Sequence, residues 1–253
     1  GVGDAGIFDS GVGGAGDPGA VLVGARASRR MLLLAEFFAP RSVAVVGASR
    51  DPGKVGHAVC ANLLEGGFEG AVYPVNPSAP DVLGRRAYPT LSDLPERVDL
   101  AVIVVPAAAA TCVIEECGAL GIPAAIVISA GFRETGPAGA VLERELVAAA
   151  RMGGVRVLGP NCLGLIATRS RLNASFAPIM PAPGSISFLS QSGALGTAIL
   201  DWAAGERIGL SHFVSLGNKS DITEVDLVRA WTEDADTGVV VAYLEAIADG
   251  RAF

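Results

Sequence analysis

Two short stretches hold the residues best suited to binding an anion. In the first, Gly47-Ala48-Ser49, Lys54 and Gly56 follow an apolar run at residues 43–46 and precede a helical pattern that starts near Val55, with Val59, Leu63 and Leu64 on one face. Without side chains in the way, backbone N–H groups and the positive end of a helix approach a phosphate closely, so strand, glycine loop and helix form a phosphate-binding arrangement. The spacing of Gly47, Gly53 and Gly56 matches neither the dinucleotide nor the Walker pattern. A first βα turn that binds nothing is therefore the alternative. In the second stretch, Ser190-Gln-Ser192-Gly193 carries an apolar strand at residues 186–189 into a helix with Leu195, Ile199, Leu200 and Ala203 on one side. There Ser192 and the free N–H groups would hold a phosphoryl group, or Ser192 would serve only as an N-cap.

The elements around the first stretch decide what it serves. Four consecutive apolar residues, 43–46, read as a strand buried on both faces, since one wet face would impose alternation. The next strand, residues 71–75, ends in Asn76-Pro77, where a dinucleotide site would place Asp or Glu on a ribose hydroxyl. A phosphate-bearing, nucleotide-like ligand is expected, and NAD is disfavoured. A loop with Pro77, Pro80 and Gly84 leads to a short helical piece around residues 91–94. Strand 100–105 then feeds a helix opening at Pro106, strand 124–128 ends in Ser129-Ala130-Gly131, and a helix at 137–152 precedes strand 155–158 and Gly159-Pro-Asn161-Cys162. This rhythm predicts an α/β, parallel, doubly wound sheet, with the loops that leave the carboxyl ends of its strands converging on one crevice.

A second unit is read from an irregular stretch with Pro178, Pro181 and Pro183, the strand at 186–189, a strand at 212–216, the loop Gly217-Asn-Lys-Ser-Asp221, a helix at 224–234 and a strand at 239–244 ending at Glu245. Three strands without a closing helix make an improbable sheet, so the sequence is read as truncated at Phe253. The expected division is a flexible tail over residues 1–35, whose first 30 residues hold nine glycines, then 36–165 and 166–253. Residues 31–40 resemble a natural beginning, with Phe37 and Phe38 as an anchor under the first strand.

Composition excludes several functions. With 253 residues, 51% of them hydrophobic, the chain can build substantial cores. A net charge of −7 disfavours a nucleic-acid partner, so any anion must be held locally. The longest apolar run, residues 100–114, is too short for a bilayer span and is broken by Pro106, so no membrane is expected. Cys60, Cys112, Cys117 and Cys162 lack paired zinc spacing and read as buried free thiols, which fits a reducing cytoplasm, and no metal site is expected. His57 reads as a surface or phosphate-adjacent residue and His212 as structural.

The run from Phe38 to Ser49, with Tyr73-Pro-Val75-Asn76-Pro77, Gly159-Pro-Asn161-Cys-Leu-Gly164, Ser190-Gln-Ser192-Gly193 and Ser215-Leu-Gly-Asn-Lys-Ser-Asp221, resembles the NDP-forming acyl-CoA synthetases. The resemblance implies a Rossmann-like CoA-binding domain followed by a truncated flavodoxin-like ligase domain. The implied reaction converts acyl-CoA, phosphate and ADP to the acid, CoA and ATP through an acyl phosphate and a phosphohistidine. It implies that Ser49, Lys54, Gly56, Val75, Asn76, Pro77, Pro106, Ser129, Ala130 and Gly131 contact coenzyme A and that Asn161 lies near the thioester. Ser190, Ser192 and Gly193 would cradle phosphate, and Glu245 would orient the histidine. That histidine and the ATP-grasp domain that would bind ATP or ADP with Mg lie outside this sequence. The implied partners are an acyl-CoA or carboxylic acid, an ATP-grasp domain or β subunit, and further copies in an oligomer. A different expectation is an acyl-CoA-sensing regulatory module of a protein lysine acetyltransferase.

Overall fold

In the computed structural model, which describes residues 34–253 apart from Ala248, residues 34–38 are helical and lead into strand β1 (Ser42–Val46), buried at every position. Residues 1–33 of the expected tail, Met31 among them, lie outside the described residues. Phe37 is fully buried in the core below β1, as an anchor should be. The chain continues through helix α1 (Val55–Glu65), β2 (Ala71–Val75), the short strands β3 (Asp81–Val82) and β4 (Arg85–Arg86), β5 (Leu100–Ile103), α2 (Ala107–Ala119), β6 (Ala124–Val127), α3 (Pro137–Gly153) and β7 (Arg156–Leu158). The five-stranded sheet has the order β2-β1-β5-β6-β7 with every pairing parallel. Both faces are covered, so its central strands are apolar without a break over residues 43–46, 100–103 and 124–127. Beneath it, Arg41 clamps the amino ends of β1 and β5: its N–H and Nε donate to Asp99 Oδ2 at 2.9 and 3.1 Å. Burial opposes ionisation of Asp99, but Arg41 outweighs burial and holds the carboxyl below its ordinary range.

The segment from Pro77 to Gly84, expected as loop, contains β3 and the turn that pairs it with β4. Leu83 and Gly84 both take positive φ, 50° and 73°, as the two central residues of a tight hairpin turn must.

The second unit needs a larger correction. The stretch before β10 is irregular only over residues 176–182, with Pro178 and Pro181; ahead of it Gly164–Ala167 (β8) and Leu172–Ser175 (β9) form an antiparallel pair that was not expected. They precede β10 (Pro183–Ser190), α4 (Gly193–Gly205), β11 (Leu210–Ser215), α5 (Glu224–Thr232) and β12 (Val239–Tyr243). The sheet therefore has five strands in the order β12-β10-β11-β8-β9, not three. Asn173 and Ser175 are buried without loss because Ser175 Oγ donates to Asn173 Oδ1 at 2.6 Å and Asn173 Nδ2 donates to Ala177 O at 3.2 Å. Asn62 of α1 joins the units by donating to the carbonyls of Ser175 and Ala177, each at 2.8 Å.

Cys60, Cys117 and Cys162 are buried free thiols, and burial pushes each up to about 12. Cys112 contradicts the expectation and is exposed, because the buried face of α2 runs through Ala107, Ala110, Ile114 and Cys117. Among the described residues no helix is long and apolar enough to cross a membrane.

His212, on β11, is a structural residue. Its Nδ1 lies 3.1 Å from Ser187 Oγ and 3.6 Å from Asp234 Oδ2, and its ring stacks on Trp231 with Phe38 edge-on. Burial lowers its pKa below 6.5, against the opposing pull of Asp234 and Asp236. The unfolded chain therefore binds this proton at a pH where the folded chain does not. Stability is then complete above about pH 6.5 and lost on acidification. A melting-temperature series is expected to fall between about pH 7 and about pH 5.5, and His212→Gln is expected to flatten the series over that window.

Candidate functional site

Parallel pairing sends every carboxyl end of the first sheet to one edge. The strand order fixes the sequence of loops along that edge: Asn76-Pro77, Gly47–Ser49, Val104–Pro106, Ser129–Gly131 and Gly159–Cys162. The chain runs from β1 outward to β2 and then crosses to β5, so the topological switch lies between β1 and β5, where α/β sheets open a crevice for a ligand.

The first loop is drawn tight. A Cβ on Gly56 would stand 2.0 Å from Gly47 O, so α1 starts in backbone contact with the turn that leaves β1. Lys54, the residue before α1, is exposed and makes no side-chain cap, and the first-turn N–H groups of Val55 and Gly56 point out of the helix end without intrahelical acceptors. Ser49 Oγ accepts from Asp51 N at 3.1 Å, while its carbonyl accepts from His57 Nδ1 at 3.0 Å. Asn76, in place of a ribose-binding carboxylate, donates to Ala48 O at 2.6 Å and accepts from Ser78 N at 2.7 Å. It stitches two neighbouring loops together.

Further along the edge lies a cavity of about 590 Å³ between the two units. Pro106, Ser129, Ala130 and Asn161 line it from the first sheet, and Phe176, Gln191, Gly193 and Thr197 line it from the second unit. Asn161 is placed by its left-handed backbone, φ 56°, and by its N–H donating to Ser129 O at 2.9 Å. The strand end of β10 thus meets the loops of β5, β6 and β7. Ser49, Lys54, Gly56, Val75, Asn76 and Pro77 lie outside the lining of this cavity, on the β1–β2 side of the same edge. Gly131 does not line it either, and its N–H donates to Glu134 Oε1 at 2.6 Å.

At the start of α4, Ser192 is an N-cap, accepting from Leu195 N at 3.3 Å. Its hydroxyl proton remains available to an anion. Ser190 is buried, donates to Ser192 O at 2.8 Å and accepts from Ser192 N at 3.1 Å, so it shapes the turn. Glu245 stands just beyond β12 with an exposed side chain, and its N–H donates to Gln191 Oε1.

Residues 217–221 dock the second unit on the first. Asn218, buried, donates to Glu134 Oε2 at 2.7 Å and Glu143 Oε2 at 2.8 Å, while its Oδ1 accepts from Asn161 at 3.3 Å. Ser220 donates to Glu143 Oε1 at 2.6 Å, and Asp221 accepts from Arg156 Nε and Val157 N, both at 2.8 Å. Arg133 donates to the Asn218 carbonyl. Burial opposes the Glu134 charge, but the Asn218 amide and the N–H groups of Gly131 and Phe132 prevail and keep its carboxyl below the ordinary range. Gly217, at φ 57°, passes so close to the β7 turn that a Cβ would meet Pro160 O at 2.3 Å. Glu134, Glu143, Gln191 and Phe176 were not singled out by sequence reasoning. The only signal was the unusual polarity of residues 217–221 inside an apolar unit.

The model of a CoA binding domain matches residues 41–168, and that of a succinyl-CoA ligase like flavodoxin domain matches residues 183–253. The α subunit of acetate–CoA ligase (ADP-forming) I from Pyrococcus furiosus is 46% identical over 224 residues, which cover 87% of this chain and 48% of that protein. The 4-hydroxybutyrate–CoA ligase (ADP-forming) of Nitrosopumilus maritimus is 40% identical over 216 residues, 85% of this chain and 31% of that one. Among solved structures, the dinucleotide forming acetyl-coenzyme A synthetase 1 of Ca. Korarchaeum cryptofilum, in complex with phosphate and ADP, superposes with a TM-score of 0.83 at 48% identity, covering 86% of this chain and 47% of its own. The chain thus spans about half the length of the first relative and about a third of the second.

Proposed function

Because this chain belongs to the NDP-forming acyl-CoA synthetases, through a CoA binding domain and a succinyl-CoA ligase like flavodoxin domain, we propose that it is the CoA-binding half of an ADP-forming acyl-CoA synthetase. The observation that carries this reading is the cavity bounded on one side by strand ends of the CoA binding domain and on the other by the start of α4. The phosphates of coenzyme A then lie beside the cavity, on the β1–β2 side of the same edge, at Ser49, Lys54 and Gly56 and at Val75, Asn76 and Pro77, and its pantetheine arm enters the cavity along Pro106, Ser129 and Ala130, passing Gly131. One Lys54 ammonium with open backbone N–H groups suffices for a pyrophosphate in a chain of net charge −7. Residues 36–165 then hold CoA and residues 166–253 hold phosphate.

The chemistry needs three things from these residues. Asn161 spends one Nδ2 hydrogen on Asn218, leaving the other to polarise a thioester carbonyl. Ser192, Gly193 and the α4 N-terminus hold inorganic phosphate, with Ser190 shaping the turn. Phosphate oxygen then forms the new bond to the acyl carbon, and the C–S electron pair leaves with the CoA sulfur, which the apolar wall of Leu163 and Phe176 shields from water. Glu245 orients a histidine supplied from outside these residues, and ATP or ADP with Mg belongs to an ATP-grasp domain in the same protein or a β subunit. The carboxylic acid or acyl-CoA is the small-molecule partner, the assembly is an oligomer, and the compartment is the cytoplasm. The acetyltransferase-linked sensor reading finds no support in the two relatives described above, both named as ligases.

Calorimetry with CoA is expected to give a dissociation constant in the micromolar range, about −8 kcal/mol. Lys54→Ala is expected to weaken it about tenfold. Binding of NADH without binding of CoA would overturn the proposal.

A further inference from the structure

The backbone beside Glu245 is gripped from two sides. On one side Gln191 Oε1 accepts the N–H groups of Glu245 and Ala246, the latter at 2.9 Å, and Gln191 Nε2 donates to Ala246 O at 3.2 Å. On the other side Lys219 Nζ donates to the same carbonyl at 2.6 Å and to Glu224 Oε2 at 3.0 Å. The Lys219 and Glu224 side chains are 8% and 1% exposed, so this is an ion pair taken out of water, whose geometry is fixed by the need to satisfy both charges.

Lys219 also sits in the middle of the docking loop. The side chains of Asn218, Ser220 and Asp221 bond the first unit, whereas that of Lys219, whose backbone takes φ 52°, bonds Ala246 and Glu224. A lysine adopts the left-handed region only where its surroundings over-determine it. One loop therefore holds the first unit with three residues and the end of β12 with the fourth. Gln191 in turn lies between Ser190 and Ser192, the two serines of the α4 turn.

We propose that Gln191 and Lys219 are positioning residues that fix Glu245 at the mouth of the α4 phosphate cradle, and that Lys219 makes this position depend on docking of residues 217–221 against the CoA binding domain. The proposal rests on the cradle reading given above for Ser192 and Gly193. Gln191 also lines the cavity, whereas Lys219 does not; in the proposal both act through the 245–246 backbone. The coupling follows from the connectivity. Loosening Asn218 from Glu143 frees the loop, the loop frees Lys219, and the carbonyl of Ala246 keeps only its bond from Gln191.

The test uses the full chain with three readouts: amide exchange at Glu245 and Ala246, titration with inorganic phosphate, and titration with CoA. Gln191→Met removes one grip. Lys219→Met is paired with Glu224→Gln so that no buried carboxylate is left unpaired. Both variants are expected to speed exchange at the two amides about tenfold and to weaken phosphate about fivefold or more. The Lys219→Met, Glu224→Gln variant, whose residues lie outside the cavity lining, is expected to change CoA affinity less than about twofold. Asn218→Ala is expected to speed the same exchange in the wild-type background and to add nothing in the Lys219→Met, Glu224→Gln background. Unchanged exchange at 245–246, additive effects, or parallel losses of phosphate and CoA affinity in the Lys219→Met, Glu224→Gln variant would overturn the proposal. If the wild-type chain binds no phosphate, the cradle reading fails, while exchange and its coupling to Asn218 still decide whether the two side chains position this backbone.

Discussion

Gly56→Ala is expected to abolish measurable CoA binding and to lower the melting temperature. The added Cβ would stand 2.0 Å from Gly47 O, 2.9 Å from Gly47 C and 3.2 Å from Ala48 Cα, all backbone atoms that no rotamer change can move aside. Relief requires α1 to back away from the β1 turn, and that shift opens the loop that holds Ser49 and Lys54. A cost of at least about 3 kcal/mol follows for a core overlap of this kind. For a chain of this size it amounts to a fall of roughly 6–12 °C. The expected loss of CoA affinity is at least about a hundredfold, since an anion site built from backbone N–H groups depends on their convergence. Gly53→Ala is the control. Its Cβ would meet only Asp51 Oδ1 at 3.3 Å, a side-chain atom able to move, so stability is expected to change little. Calorimetry and thermal melts on both variants check the contrast.

Asn218→Asp is expected to be the most damaging change at the contact between the units. The Asn218 amide donates to Glu134 and Glu143, and Glu143 is 6% exposed. The substitution replaces two donated hydrogen bonds with a third carboxylate facing two others. Losing the partner of a buried charge and adding a like charge costs about 3–5 kcal/mol. Like-charge repulsion raises carboxyl pKa values in the folded state, so the destabilisation is present at neutral pH and relieved as protons bind on acidification. The variant's melting temperature is thus expected to lie about 6 °C or more below the wild type near pH 7.5 and to approach it toward about pH 5. Asn218→Ala, which removes the donors without adding charge, is expected to fall between them and to show less pH dependence. Equal melting temperatures across the three proteins would refute the assignment of this network as the dock.

The first sheet was legible in the sequence because both of its faces are covered. Residues such as Val43–Val46 and Leu100–Ile103 then have no polar position to confuse the pattern, and each strand ends at a glycine, serine or proline. The same logic hid β9. Leu172-Asn-Ala-Ser175 is buried throughout, but its polar residues satisfy one another and the backbone, so the strand reads as a loop. Cys112 was misplaced because α2 opens on Ala107-Ala-Ala-Ala110, and alanine marks neither face of a helix. The dock between the units was out of reach for another reason. Asn218 meets Glu143 across 75 residues of chain, and no local spacing announces a hydrogen bond of that separation. Motif order pointed to the right ligand class, while the side chains that hold the two halves of the site together appeared only in three dimensions.

Amide-exchange mapping of the full chain with and without CoA probes the crevice most directly. Slowed exchange is expected in the loops at residues 47–57, 75–77, 104–106, 129–131 and 159–162 together, since they share one edge of one sheet. Protection confined to a single loop, or located away from that edge, would contradict the account.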